Sequence, residues 1–233
     1  MKKIIAIVLA LATMLGACLA LSSCGGDKDV YTVGIIQLAP HEALDAATQG
    51  FKDALIEALG EENLSFQDKD AGGEYANCGT IMDGFVAEGV DLILANATPP
   101  LQAAASATGD IPVLGTSVTD YATALKIADW TGTVGGNVSG TSDLAPLDQQ
   151  AAMVAELFPD AKNVGILYCS AEANSQYQVD VITGYLQDMG LTVTPFSFTD
   201  TNDVFSVTHS ACAASDVIFI PTDNTVATCK EVI

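Results

Sequence analysis

Two stretches of the chain repeat one pattern far apart. VGIIQLAPHEA from Val33 lines up with VGILYCSAEAN from Val164, and DLILANATPP from Asp91 lines up with DVIFIPTDNT from Asp216. In each, an apolar run of strand length ends in a polar loop, and the loop leads into a helical pattern. A strand that returns as a parallel neighbour needs a crossover, usually a helix, so the pattern commits the chain to βαβ units. Two copies in the same order predict two lobes with the same βαβαβ wiring.

The segments between the repeats agree. YTVGIIQ (31–37), LSFQDKD (64–70), DLILANA (91–97) and IPVLGT (111–116) read as strands. HEALDAATQGFKDALIEAL (41–59), YANCGTIMDGFVAEG (75–89) and TPPLQAAASA (98–107) read as helices. Gly60 stops the first helix, and Thr98 opens the third with prolines in its first turn. The second copy has VITGYLQDMG as a helix and LTVTPFSF as its middle strand. Strands alternating with helices predict an α/β fold: two Rossmann-like lobes with parallel sheets covered on both faces. Lobe I takes residues 31–145 and lobe II residues 146–233. The second copy stops mid-pattern at Ile233, before a strand matching 111–116, so lobe II is expected to be incomplete and the sequence a fragment.

The beginning of the chain reads differently. MKK, then IIAIVLALATMLGACLAL, then LSSC form a positive start, an apolar stretch and a small-residue end, the pattern of a secretory signal over residues 1–24. The ending resembles the lipobox of bacterial lipoproteins, which implies that Cys24 is lipidated and becomes the mature N-terminus. Residues 25–30 then read as a tether. No later segment is long and apolar enough to span a membrane.

Charge removes some functions. The 29 acidic residues face eight basic ones, all lysine, for a net charge of -21. Such a surface repels phosphate backbones and excludes nucleic acid as a partner. Four cysteines remain beyond the signal and the anchor: Cys78, Cys169, Cys212 and Cys229. None forms a C-x-x-C pair, and only two histidines are present, so no metal or other cofactor is expected. Cys212 and Cys229 flank one strand, which leaves a disulfide between them open.

Ligands of open parallel sheets sit beyond the carboxyl ends of the strands. The candidate loops are therefore 37–41, 96–100, 116–120, the connecting segment NVSGTSD (137–143), 169–175 and 221–225. They are rich in hydroxyls, amides and carboxylates on short side chains. Cys169 and Ser170 would need a base within reach to act as nucleophiles. Neither has a histidine near it in sequence, and His209 lies on a helix ahead of a strand. There is no G-x-S-x-G elbow and no phosphate-binding loop. Glu172 and Asp223 are a carboxylate pair of the kind used for acid–base work, but nothing else supports a hydrolase, and no catalytic residue is assigned. Helices starting at Thr98, at Glu172–Asn174 and at Asp223–Asn224 would aim backbone N–H groups at an anion. Asp120, Asp143, Glu172 or Asp223 would suit an ammonium. A carboxylate plus an ammonium describes an amino-acid zwitterion.

APHEALDAATQGFKDAL, TSVTD, NVSGTSD, LDQQAAMVAELFPDAKNVGILYCSAEANS and PTDNTVA resemble the substrate-binding lipoproteins of ABC transporters of the tryptophan/tyrosine-binding type. The resemblance covers about residues 31–233. It implies a type I periplasmic-binding-protein architecture, an extracytoplasmic lipid-anchored location, a permease and an ATPase as partners, and capture of a small, aromatic amino acid between the lobes. It also implies the ligand contacts: Thr98, Ser117 and Asp120 from lobe I; Ser139, Thr141 and Ser142 from the connecting loop; Ser170, Glu172, Asn174, Ser175, Asp223 and Asn224 from lobe II. Cys169 stands where the family commonly has asparagine, which argues against a polar role there. Tyr31, Tyr121, Tyr168 and Tyr177 are available to stack on a ring. The alternatives are the same fold binding a sugar, nucleoside or other small solute, or a sensor domain.

Overall fold

The computed structural model describes residues 30–233. The signal, the lipobox Cys24 and nearly all of the tether lie outside the described residues. In chain order the strands are β1 (Tyr31–Gln37), β2 (Leu64–Asp70), β3 (Leu92–Asn96), β4 (Val113–Val118), β5 (Val138–Ser142), β6 (Asn163–Cys169), β7 (Thr192–Phe198) and β8 (Val217–Phe219). The helices are α1 (Glu42–Leu59), α2 (Tyr75–Glu88), α3 (Thr98–Ala107), α4 (Tyr121–Ala124), α5 (Leu147–Leu157), α6 (Ala173–Asp188), α7 (Val204–Ala214) and α8 (Asn224–Thr228). All strand pairs are parallel, in a five-stranded sheet of order β2-β1-β3-β4-β5 and a three-stranded sheet of order β7-β6-β8.

The repeat is real in three dimensions. β2-β1-β3 and β7-β6-β8 have the same order, and a repeated aspartate does the same work in each. Asp91, just before β3, accepts the Thr32 N–H at 2.7 Å. Asp216, just before β8, accepts the N–H groups of Lys162 and Asn163 at 2.9 and 2.8 Å. Each ties the start of its lobe's first strand to the start of a neighbour. Those bonds, with an attraction from Lys162, hold the Asp216 carboxyl below its usual range.

The cores follow the sheets. In lobe I, Met82 and Phe85 of α2 and Leu101 of α3 pack on Ile36, Ile93 and Val113. Full burial of such a side chain stabilises by about 1.5–3 kcal/mol. Gly34 lets α2 approach closely, because a Cβ there would lie 2.8 Å from the Phe85 ring. α1 covers the opposite face, with Phe51 and Leu55 against Val33, Ile35 and Leu94. In lobe II, α5 and α6 bring Ala151, Val154, Val179, Ile182 and Leu186 onto Ile166 and Tyr168. Leu167, Phe198 and Val204 fill the other side.

Two expectations are corrected, and the open disulfide is answered. NVSGTSD is not a connecting loop, since its residues 138–142 form β5 at the edge of the first sheet, paired with β4. The strand is close-packed: a Cβ on Gly140 would strike the backbone of Gly115, and the Tyr121 hydroxyl beneath donates to the Thr141 carbonyl at 3.1 Å. The fourth strand begins at Val113 and runs to Val118, not over 111–116. Cys212 and Cys229 are both free, the first exposed and the second buried.

Candidate functional site

The carboxyl ends of both sheets face each other. Between them lies a cavity of about 530 Å³. Lobe I contributes Leu38–Pro40 after β1 and Gly72–Ala76 after β2. Lobe II contributes Ala171 after β6, Thr199–Thr201 after β7, and Asn224, Thr225 and Thr228 of α8. The lining mixes small apolar side chains, threonine hydroxyls, the Asn224 amide and one aromatic ring, Tyr75, with Glu74 and Asp200 as its only charged side chains.

Beneath the lobe II wall, two carboxylates organise the loops. Glu172 is fully buried. Its Oε1 accepts from the Thr225 N–H at 2.8 Å and the Thr225 hydroxyl at 2.7 Å. Its Oε2 accepts from Asn174 Nδ2 at 2.9 Å, Asn224 N at 3.1 Å and Asn224 Nδ2 at 2.7 Å. Asp223 caps α8 through the Val226 N–H at 2.8 Å, and its Oδ2 accepts from the Cys169 N–H and the Ser175 hydroxyl, both at 2.7 Å. Gln178 closes the network by exchanging bonds with the backbone of Thr222 at 3.0 Å. Burial first, then the negative charge of Glu172, pushes the Asp223 carboxyl well above its usual range, against the opposing donors of Ser175, Val226 and Cys169.

The N-terminal N–H groups of α8 are thus consumed inside lobe II. Asn224, Thr225 and Val226 give theirs to Glu172 and Asp223. Glu172, Asn174, Ser175 and Asp223 come together as anticipated from their loops, but they face one another, and none of them lines the cavity. Asn224 does line it. Ser170 sits on the surface and donates to the Phe198 carbonyl at 3.2 Å.

The lobe I candidates Thr98, Ser117 and Asp120 are likewise not among the residues that line the cavity. Thr98 is the first residue of α3, and the cap position falls to Ala97 at φ 101. Ser117 is also left-handed, at φ 54. Non-glycine residues in that region cost of order 1–3 kcal/mol and cluster at functional sites. The Thr98 hydroxyl is buried and has no hydrogen-bond partner. Pro99 and Pro100 have no N–H, so Thr98 supplies what this helix start can offer. Asp120 caps α4 through the Thr123 N–H at 2.7 Å, using Oδ1 only. Ser139 and Thr141 are set apart on β5, lining a separate hollow with Phe51 and Leu114. Ser142 donates to the Thr119 carbonyl at 2.7 Å.

Of the four tyrosines considered for stacking, none lines the interlobe cavity. Tyr168 donates to Gln176 at 3.1 Å, Tyr121 lies under β5, and Tyr31 is exposed at the start of β1. Tyr177 is half-buried near Asp120, whose charge adds to burial in pushing its phenol up. Tyr75, Thr228 and residues 199–201 lie outside the candidate loops, and Thr225, inside the loop 221–225, was not assigned as a ligand contact. The segment after β7, TDTND from Thr199, is as polar as the other loops, and a rule that takes the loop after every strand includes it and the loop after β2.

A tyrosine-binding protein of Clostridioides difficile is 34% identical over 208 residues. The match takes in 88% of this chain and spans 60% of that relative's length. A Streptococcus pneumonia ABC domain solved in complex with L-Trp is 33% identical and superposes with a TM-score of 0.82, covering 87% of this chain and 68% of that one. A ligand-free, open substrate-binding protein with adhesive properties from Clostridium difficile, 36% identical, gives 0.59 at 87% and 69% coverage. At nearly equal identity and coverage, the arrangement is closer to the L-Trp complex than to the open structure. The fold is the type I periplasmic-binding-protein arrangement, in agreement with the parallel two-lobe topology. The family model for ABC transporter substrate binding proteins matches residues 32–233, and the chain belongs to that family.

Proposed function

We propose that this chain is the extracytoplasmic, lipid-anchored solute-binding component of an ABC importer, and that it captures a small amino acid, preferably aromatic, between its lobes. Its partners are a permease and an ATPase, and it performs no chemistry on its ligand. The observation that carries this reading is the Thr98 hydroxyl. It is buried and partnerless at the start of a ten-residue helix, beside two left-handed non-glycine residues. A ligand carboxylate supplies the acceptor this group lacks, and the positive end of α3 favours it. With no arginine or lysine lining the interlobe cavity, dicarboxylates and phosphates are disfavoured there. Asp120, with one oxygen outside its capping bond, is the acceptor for the ammonium. Of the remaining candidates, Asn224 lines the cavity as a direct contact. Ser117 shapes the lobe I loop. Glu172, Asn174, Ser175 and Asp223 hold the lobe II wall in place.

Capture works by closure. Ligand binds one lobe, and contacts from the other favour the closed form. The names of the similar proteins, one tyrosine-binding and one solved with L-Trp, support an aromatic amino acid.

A thermal-shift screen of the chain against the twenty amino acids, sugars and nucleosides tests the reading. A ligand at a hundred times its dissociation constant adds about 2.7 kcal/mol of stability. A shift with tryptophan or tyrosine supports the proposal. A shift with a sugar or nucleoside and with no amino acid overturns it.

A further inference from the structure

Tyr75 is the one ring in the interlobe cavity, and it belongs to lobe I, as the first residue of α2. Its hydroxyl is buried and makes no hydrogen bond in the present arrangement. Of the lobe II residues that line the same cavity, Thr225 is the one whose side chain acts on the Tyr75 phenol. Thr225 has already committed its own hydrogen: Oγ1 donates to Glu172 Oε1 at 2.7 Å. Its remaining lone pairs can only accept. A phenol can donate, so donor and acceptor are matched across the cleft. Burial above all, and then the charges of Glu172, Cys169 and Asp223, hold the Tyr75 phenol upward, so it keeps its proton and stays a donor. The Thr225 hydroxyl stands next to that oxygen without hydrogen-bond geometry.

We propose that Tyr75 is a positioning residue that sets ligand affinity through closure of the lobes, by donating to Thr225 and, through it, locking onto the Glu172 carboxylate. The physical reason is the cost of the intermediate arrangement. With the lobes apart, water satisfies the phenol. With the lobes fully together, Thr225 satisfies it. Buried but unpaired, it carries a desolvation cost with no return. A hydroxyl of this kind disfavours half-closed states and makes closure closer to all-or-none. The Glu172 cluster gives the latch a fixed target, because every donor on that carboxylate comes from lobe II itself. Between the lobes, the ion pair of Lys230 with Glu42 at 3.8 Å is exposed and too weak to take this role.

The inference rests on the two-lobe binding reading, and its test is chosen to stand apart from it. Two measurements are made on the full chain. The first is the ligand-free radius of gyration from X-ray scattering, for wild type, Tyr75→Phe, Thr225→Val and Thr225→Ser. The second is calorimetric titration with L-tryptophan as probe. Tyr75→Phe keeps the ring and the packing and removes only the donor. Its radius of gyration should exceed that of wild type, and its L-tryptophan affinity should fall about two- to ten-fold. Thr225→Ser should behave as wild type. Thr225→Val, which also removes the bond to Glu172, should lose at least as much as Tyr75→Phe, and the double variant should be no worse than Thr225→Val alone. An unchanged radius of gyration in Tyr75→Phe, or additive losses in the double variant, overturns the latch. If wild type does not bind L-tryptophan, the functional reading loses its aromatic ligand, while the scattering comparison still decides the latch.

Discussion

Ser175 and Asp223 lie 48 positions apart, and the Ser175 hydroxyl donates to Asp223 Oδ2 at 2.7 Å inside lobe II. The start of α6 is thereby joined to the start of α8. The Cys169 N–H at the end of β6 reaches the same oxygen. One carboxylate therefore ties the end of a strand to the starts of two helices, and the wall of the cavity depends on it.

Removing that carboxylate should unfold more than it unbinds. Asp223→Ala strands three buried donors: the Cys169 N–H, the Ser175 hydroxyl and the Val226 N–H. A loss of roughly 3–5 kcal/mol is expected in urea denaturation. Ser175→Ala removes one donor and should cost about 1 kcal/mol. Equal, small losses in both variants would show that Asp223 is not the tie.

The same group sets a pH dependence. Burial, and then Glu172, raises the Asp223 carboxyl from 3.8 to about 7 in the folded protein. Between those values the native state holds a proton that the unfolded chain has released. Stability from this group is therefore full below the lower value and is lost as pH rises toward the upper one. The slope is at most about 1.4 kcal/mol per pH unit. Asp223→Asn cannot titrate, so the wild-type advantage over it in thermal melts should be larger near pH ~4.5 than near ~7.5. An advantage that does not change with pH would reject the raised carboxyl.

These relations mark the limit of what could be read in advance. β1 and the helix at 98–107 were legible to the residue, because a buried parallel strand is an unbroken apolar run and prolines belong in a helix's first turn. β5 was not legible. VSGTS is an edge strand exposed over four of its five residues, so no apolar alternation marks it. The polar loops were found, but the jobs of Glu172 and Asp223 were not. Their partners Thr225 and Ser175 lie 53 and 48 positions away, and only the folded chain says whether a carboxylate faces a ligand or its own backbone. Tyr75 is the first residue of α2 and belongs to no polar loop, so nothing local in the sequence marks it as part of the cavity.

The cysteines should divide into one reactive thiol and three inert ones among residues 30–233. Burial, above all, pushes the Cys169 thiol up, and it pushes Cys78 up to about 11. Cys229 is buried as well, while Cys212 is exposed. The thiolate is the species that reacts, so alkylation of the native chain at neutral pH should label Cys212 first. The other three should react only in denaturant, as read by mass spectrometry of the peptides. Rapid native labelling of Cys169 would mean that the loop after β6 opens, and would return that thiol to consideration as a functional group.

Thr98 offers the sharpest separation of stability from binding. Its hydroxyl is buried without a partner, so the empty protein gains nothing from it. Thr98→Val keeps the shape and removes the polar atom. Leaving a buried hydroxyl unsatisfied costs about 1–3 kcal/mol, so the ligand-free variant should melt at or above the wild-type temperature. If the hydroxyl exists to meet a ligand carboxylate, the same change should weaken L-tryptophan binding by about ten-fold or more, since a bond to a charged group is worth roughly 1.5–3 kcal/mol. Calorimetry beside thermal melting reads both. A variant that is more stable and binds as before would assign Thr98 to the fold alone and move the carboxylate site elsewhere in the cleft. A variant that loses stability would show that the hydroxyl has a structural partner in solution.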